Sequence, residues 1–407
     1  MISLDLRTRS DDDIHAITPS ELFDEQLPAL AAERSHLAVP GARELHVEPF
    51  TFATPSGAWT MTLEDDAIRI VPGDSGTARV RLSDEDVSNL ANDLTTPMTY
   101  VTAGTLKMEQ GNLGDFLDWW VVLRSLLDDR AVHTAGAVTF RDRDGGELDL
   151  HRSFTPADDD IDIAYFLAEA GFLHLKGWFD PSAMEQIAGD MDAALPTYAR
   201  DDGQSWWAKT ADGRDRCVRM QSFQEHSLAT VALLESDALA RIGALTGDGY
   251  TPRRLGNRIE ALVKPIGVVE GISDVPWHKD CSLGMHSYNC CGLTVGVSVT
   301  GADAVSGQLR VVAGSHRALV QTAFVRRESA LPVIDLATET GDVTVHCSCT
   351  LHMAQPPTER ERRVMYTGFG LPPLAPPSEA RTRVLASISA VRESSYKKVS
   401  QPPAPTA

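Results

Sequence analysis

Positive charge is scarce in this chain: 37 Lys and Arg stand against 57 Asp and Glu, a formal net charge of −20 over 407 residues. No basic cluster is dense enough to track a phosphate backbone, which removes nucleic acid from the expected partners. Long apolar runs are missing as well. None reaches the roughly 18 residues that a membrane-spanning helix needs, and the opening M-I-S-L-D-L-R-T-R-S-D-D-D has no apolar core of signal-peptide length. The expected location is the cytoplasm, without a membrane span. Cysteine is sparse too. Cys217, Cys281, Cys290, Cys291, Cys347 and Cys349 are too few and too clustered for a secreted disulfide framework. Neither the 290/291 pair nor the 347/349 pair has the gap of about two to four residues found in a zinc knuckle. Cys347 and Cys349, alternating with Ser348, read instead as small side chains packed on one face of a strand.

With 43% hydrophobic and 23% charged residues, the composition is that of a globular protein long enough for two domains. Residues 1–45 are polar and broken by Pro19, Pro28 and Pro40, and read as a flexible lead-in. Residues 46–154 read as a small α+β domain. Trp59–Leu63, Ala67–Val71 and Thr77–Leu82 are β-rich runs, the last two separated by P-G-D-S-G. Ser83 with Asp86 has the pattern of a capping box opening a helix through Leu94, and Phe116, Trp119, Trp120, Leu123 and Leu127 recur at helical spacing. This order is similar to sterol carrier protein type 2, which implies a pocket for lipid or acyl groups. The preferred reading is plainer: the aromatics are core, and the domain shields or dimerises its neighbour. Val138–Leu150 reads as a hairpin around D-R-D-G-G, and T-P-A-D-D-D at Thr155–Asp160 as a junction.

Past the junction, Asp180 as N-cap and Pro181 at the first helical position open a helix whose Met184, Ile187, Met191 and Leu195 form one stripe, ended by Pro196. From Arg258 the pattern turns to short β runs: Ile259–Lys264, Thr294–Thr300, Leu309–Val312, Val343–His346 and Val364–Phe369. Such alternation suits a jelly-roll barrel.

The chemistry concentrates between Pro276 and Arg363. In a strand, residues i and i+2 share a face, so His278 and Asp280 of W-H-K-D can offer a nitrogen and an oxygen to one ion. His352, in G-D-V-T-V-H-C-S-C-T-L-H, would complete a triad of two histidines and one carboxylate, leaving about three octahedral positions open. Arg363, eleven residues on, could hold a carboxylate in two hydrogen bonds. An H-x-D pair by itself is weak, because a buried histidine is more often merely hydrogen-bonded. Here it is joined by S-G-Q-L-R-V-V-A-G-S-H-R at Ser306–Arg317, A-Y-F-L-A-E-A-G-F-L-H-L-K-G-W-F-D-P at Ala164–Pro181, K-P-I-G at Lys264–Gly267 and G-D at Gly341–Asp342. This order resembles the phytanoyl-CoA dioxygenase family of iron(II)/2-oxoglutarate oxygenases from Asp160 to Ala390.

The resemblance implies a mainly β catalytic domain over residues 160–390, a double-stranded β-helix of jelly-roll or cupin-like form with flanking helices, followed by a disordered tail at 391–407. It implies Fe(II) on His278, Asp280 and His352, with Arg363 on the distal carboxylate of 2-oxoglutarate and O2 as the oxidant. The expected reaction is hydroxylation, or another oxidation at an unactivated C–H, of a small molecule or an acyl or lipid-like one, with release of succinate and CO2. Retention of Asp280 favours this outcome over halogenation. The chain departs from the family pattern at Ser306 and Ala313, where Asn and Pro are usual. Leu309 and Ala354 also stand where relatives carry hydroxyls near the cosubstrate. His346 reads as a hydrogen-bonding neighbour of the site or as core, and His286 and His316 as loop residues. Trp206, Trp207, Arg216 and Arg219 fall in a segment that could form a lid, with the two arginines the choice for an anionic substrate. Two alternatives stay open: a metal-binding jelly-roll enzyme that does not use 2-oxoglutarate, and a catalytically silent lipid-binding or interaction protein.

Overall fold

The computed structural model describes residues 2–252, 258–271, 274–281, 292–325, 329–384 and 386. The expectations for His286, Cys290, Cys291 and the 391–407 tail lie outside the described residues.

The first correction is at the N-terminus. Residues 21–44, expected within a flexible lead-in, are helical: a π-turn at Glu21–Gln26 runs into α1 (Leu27–Glu44). Pro28 sits at the second position of α1, directly after the π-turn, so its missing N–H falls where the hydrogen-bond pattern changes. Pro40 does lie inside it, and packing offsets the lost hydrogen bond: Leu22, Phe23 and Leu27 are almost fully buried, and Phe23 stacks on Trp59 at 5.3 Å.

The helix lies on a five-stranded sheet of β1 (Phe50–Thr54), β2 (Gly57–Glu64), β3 (Ala67–Pro72), β4 (Ala78–Arg81) and, after α2 (Asp84–Ala91) and α3 (Pro97–Ala103), β5 (Lys107–Gln110). The spatial order is β3-β2-β1-β4-β5. β1 escaped the sequence reading because all five of its residues are buried, which removes the apolar–polar alternation that marks a half-buried strand. The capping box is present: Ser83 Oγ accepts from the Asp86 amide and Asp86 Oδ2 accepts from the Ser83 amide, at 3.1 and 2.9 Å. α4 (Leu113–Asp128) buries Phe116, Trp119 and Trp120, and Phe116 stacks on Phe50 at 5.7 Å. These aromatics are core, as the plainer reading had it. Inside the unit, Arg124 is paired with Asp128 with both side chains almost wholly buried, and it also donates to the carbonyls of Leu90 and Ala91.

The larger unit opens with α5 (Asp160–Ala170), β6 (Phe172–Leu175) and α6 (Pro181–Ala194). Asp180 caps α6 by accepting from the Ser182 amide at 2.8 Å, and Met184, Ile187 and Met191 are fully buried. Next come β7 (Ser205–Thr210), β8 (Asp215–Met220), α7 (Leu228–Leu234) and α8 (Asp237–Ala244). β7 and β8 pair antiparallel within the main sheet, so Trp206, Trp207, Arg216 and Arg219 belong to a hairpin of the wall and not to a lid. Arg216 is tied to Glu361 at 2.5 Å.

The remaining strands are β9 (Thr251–Pro252), β10 (Glu260–Lys264), β11 (Val268–Glu270), β12 (Gly292–Ser298), β13 (Leu309–Val312), β14 (Val333–Leu336), β15 (Val343–Cys347), β16 (His352–Ala354) and β17 (Arg362–Gly370). The main sheet runs β11-β7-β8-β10-β17-β12-β15-β6, with β9 beside β17, and a second sheet runs β14-β13-β16. His278 forms an antiparallel bridge with His352, which extends the second sheet by one more segment. From β10 onward the chain alternates between the sheets: β10, the His278 segment, β12, β13–β14, β15, β16, β17. That winding is a double-stranded β-helix, a jelly-roll form with flanking helices, preceded by the α+β unit. Among the described residues no helix is long and apolar enough to cross a membrane.

Asp128→Ala would take from the buried Arg124 guanidinium the carboxylate paired with it at i+4, leaving the charge of Asp93 nearby. We expect a loss of about 3–5 kcal/mol in urea unfolding followed by tryptophan fluorescence, and a loss below about 1 kcal/mol would show that the remaining contacts of Arg124, the two carbonyls and the charge of Asp93 among them, suffice.

Candidate metal centre

Two backbone hydrogen bonds build the centre. The His278 amide donates to the His352 carbonyl and the His352 amide to the His278 carbonyl, each at 3.0 Å. The pair sets the two imidazoles side by side, ring centroids 4.3 Å apart. Asp280, two residues on, shares the face of His278. One donor atom from each of the three residues lies within 4.8 Å of the others.

The orientation of each donor is fixed from behind. His278 Nδ1 lies 2.7 Å from the Pro276 carbonyl and His352 Nδ1 2.9 Å from that of Thr350. A carbonyl can only accept, so both Nδ1 atoms carry the proton and both Nε2 lone pairs face inward. Those Nε2 atoms lie 3.4 and 3.7 Å from the same Asp280 oxygen, Oδ1. The edge of an octahedral face with bonds of about 2.1 Å is roughly 3 Å, so a small inward movement closes the triad on an ion. The other oxygen, Oδ2, accepts from Thr294 Oγ1 at 2.7 Å and faces His346 Nε2 at 3.3 Å.

Burial works against the Asp280 charge, yet the neighbouring His352, His278 and His346 side chains hold its carboxyl well below the ordinary carboxylate range. Burial pushes the His352 imidazole well below its usual value, and neighbouring His346 adds to this. Asp280 is therefore held as a carboxylate and His352 as a neutral imidazole near neutral pH, and two imidazoles with one carboxylate are the donor chemistry of a two-histidine, one-carboxylate iron site. Thr294 is what the sequence reading missed in this five-residue cluster: it was read only as part of a strand, and its cross-strand pairing with His346 is invisible without the sheet.

The triad opens into a cavity of about 550 Å³ between the two sheets. Leu309 and Ala354 line the wall of the second sheet, while Arg219, Arg258, Lys264 and Tyr366 line that of the main sheet.

Arg363 is a correction. It pairs with Val263, and its side chain leaves the cavity for the outer face, where it meets Asp192 of α6 at 2.8 Å and the Ala188 carbonyl at 3.0 Å. Its neighbour Arg362 pairs with cavity-lining Lys264 and so faces inward. Arg362 is buried, donates to the Gly307 carbonyl at 2.6 Å, and leaves its Nε without an acceptor among the described residues. In E-R-E-R-R-V the spacing from His352 cannot tell the two apart; only strand phase does. Lys264 is buried beside Asp274 at 2.5 Å, and burial lowers its ammonium to about 8. His316 is buried against the Ala168 carbonyl at 2.9 Å, outside the centre, as the loop-stabilising reading had it.

Residues 167–364 match the family model "Phytanoyl-CoA dioxygenase (PhyH)". Among curated proteins none matches the chain. Similar solved structures include AviO1 from Streptomyces viridochromogenes Tue57, at 21% identity over 51% of this chain and 93% of that one, with a TM-score of 0.41. The epimerase SnoN, in complex with Fe3+, alpha ketoglutarate and nogalamycin RO, is 19% identical over 50% of this chain and 80% of its own, with a TM-score of 0.40. EvdO2 from Micromonospora carbonacea var. aurantiaca, complexed with 2-oxoglutarate, is 17% identical over 53% and 92%, with a TM-score of 0.37.

Thr294→Val removes the donor that holds Asp280 Oδ2 and should weaken Mn(II) binding by about 10-fold or more. Titration calorimetry checks this, with Asp280→Ala as the reference for loss of the carboxylate; an unchanged Mn(II) affinity in Thr294→Val would show that Asp280 needs no such support.

Proposed function

With the match of residues 167–364 to the phytanoyl-CoA dioxygenase family model as the premise, we propose that the protein is an Fe(II)- and 2-oxoglutarate-dependent oxygenase that hydroxylates, or otherwise oxidises at a C–H bond, a small-molecule substrate. The observation that supports this most directly is the convergence of His278, Asp280 and His352 on a cavity between the two sheets. Iron bound there would supply O2 activation coupled to oxidation of 2-oxoglutarate to succinate and CO2.

The residues around it supply orientation. Two Nδ1-protonated imidazoles and Asp280 Oδ1 would hold one face of the ion, while Thr294 and His346 keep Oδ2 turned away. The distal carboxylate of 2-oxoglutarate would go to Lys264, with Arg362 behind it, in place of the Arg363 expected from sequence spacing. Leu309 and Ala354 make one wall of the cavity apolar.

A second reading, a metal-dependent jelly-roll enzyme without 2-oxoglutarate, draws support from the outward position of Arg363 and from the absence of hydroxyls at Leu309 and Ala354.

The deciding experiment is an anaerobic titration of Fe(II)-loaded protein with 2-oxoglutarate, read by the visible charge-transfer band of a chelated 2-oxo acid. A saturable band that His352→Ala abolishes supports the oxygenase; iron binding with no band favours the second reading. Lys264→Met should weaken 2-oxoglutarate by about 10- to 150-fold, the loss of a charged hydrogen bond of about 1.5–3 kcal/mol, whereas Arg363→Met should change it by less than about twofold. The pH dependence has a definite sign. Lys264, buried and lowered to about 8, carries its charge below that pH, so affinity should hold there and fall as pH rises through it. Asp274, Arg362 and Arg219 are the charges that act on it. The fall should vanish in Lys264→Met, and a fall that persists there would remove Lys264 from the assignment.

A further inference from the structure

We propose that Arg258 anchors an anionic group, a carboxylate or a phosphate monoester, of the molecule that occupies the cavity beside the metal centre. Three cations line this cavity in a chain of net charge −20. Two already have carboxylates: Arg219 meets Glu260 at 3.3 Å and stacks on Trp206, its guanidinium 4.2 Å from the ring centroid, and Lys264 meets Asp274 at 2.5 Å. Arg258 has no carboxylate partner among the described residues. A partly buried arginine at a cavity wall without a counter-charge offers its planar fork to an anion from solution, and a carboxylate or phosphate can meet it with two hydrogen bonds.

Position makes this a substrate contact distinct from the cosubstrate end. The Arg258 carbonyl accepts from Thr367 Oγ1 at 2.7 Å, so Arg258 lies beside the far end of β17. There Gly368 pairs with Thr294, and Thr294 pairs with His346. Arg258 thus stands about two strand spacings, roughly 10 Å, from Thr294, in line with the residues that hold Asp280. Gly368 has no side chain, so the floor between them is open to the cavity. Lys264 and Arg362 sit at the opposite end of β10 and β17. A molecule pinned at Arg258 would therefore extend toward the metal along the sheet without competing for Lys264. Only the word "substrate" rests on the oxygenase reading; the anion site stands on its own geometry.

The test is calorimetric titration of the metal-free, full-length protein with inorganic phosphate and with benzoate, for the native chain, Arg258→Gln and Arg258→Lys. Without metal, neither anion can be captured by the triad. The expected result is saturable binding of one of the two, weakened by about 10-fold or more in Arg258→Gln, partly kept in Arg258→Lys, with 2-oxoglutarate affinity of the Mn(II)-loaded protein unchanged within about twofold. The preferred probe distinguishes carboxylate from phosphate. The proposal is overturned if neither anion saturates the native chain, if Arg258→Gln binds both as well as the native chain does, or if Arg258→Gln instead weakens 2-oxoglutarate, which would make Arg258 a cosubstrate contact. If the native chain binds the anion yet shows no 2-oxoglutarate band, the oxygenase reading fails while the anion site stands.

Discussion

The reciprocal pair of backbone hydrogen bonds between His278 and His352 is the constraint on which the centre depends. It adds the His278 segment to the edge of the second sheet, and in doing so it fixes which faces of two distant segments look into the barrel. Side-chain direction in a strand follows register alone, and a slip of one residue would send both imidazoles to the outside. The carbonyls of Pro276 and Thr350, which select the tautomers, belong to the same two segments. Position, direction and protonation of the donors thus come from one stretch of pairing.

Charge completes what the pairing begins. A strongly acidic chain has placed its cavity cations on the main-sheet wall and opposed them with an apolar wall at Leu309 and Ala354. Such asymmetry orients a ligand: its anionic ends go to one side and its hydrocarbon to the other. The carboxylates that neutralise Arg219 and Lys264 limit how many anions the cavity can take, and they keep those side chains in place when it is empty of ligand.

What could be read from the sequence was whatever depends on neighbours in the chain. The H-x-D spacing, the Asp180 cap with Pro181, the Ser83–Asp86 capping box and the amphipathic stripe of α6 are local patterns, and each has its counterpart in the structure. What could not be read depends on strand phase or on burial from both sides. β1 is buried throughout and shows no alternation. α1 carries prolines that suggest a loop until its packing on the sheet is seen. Arg362 and Arg363 are adjacent identical residues, and only the pairing of Arg362 with Lys264 and of Arg363 with Val263 decides which one enters the barrel. The same holds for Thr294 and Arg258, which have no motif of their own and gain significance only from the row of the sheet in which they stand.

The division of labour within Asp280 follows from these placements. A carboxylate offers two oxygens, and a free one can turn to give both to an ion, occupying a position that a reaction at the metal needs open. Here Oδ2 is taken by the Thr294 hydroxyl and faces His346, while Oδ1 faces the two imidazole nitrogens. Rotation to a bidentate mode would break the hydrogen bond to the buried Thr294 hydroxyl, a penalty of about 1–3 kcal/mol for a buried donor left unpaired. That is enough to favour one-oxygen ligation by roughly 5- to 150-fold. With an ion bound by the triad, the residues behind the carboxylate would determine how many positions on it stay open, and with that the kind of chemistry the site could support.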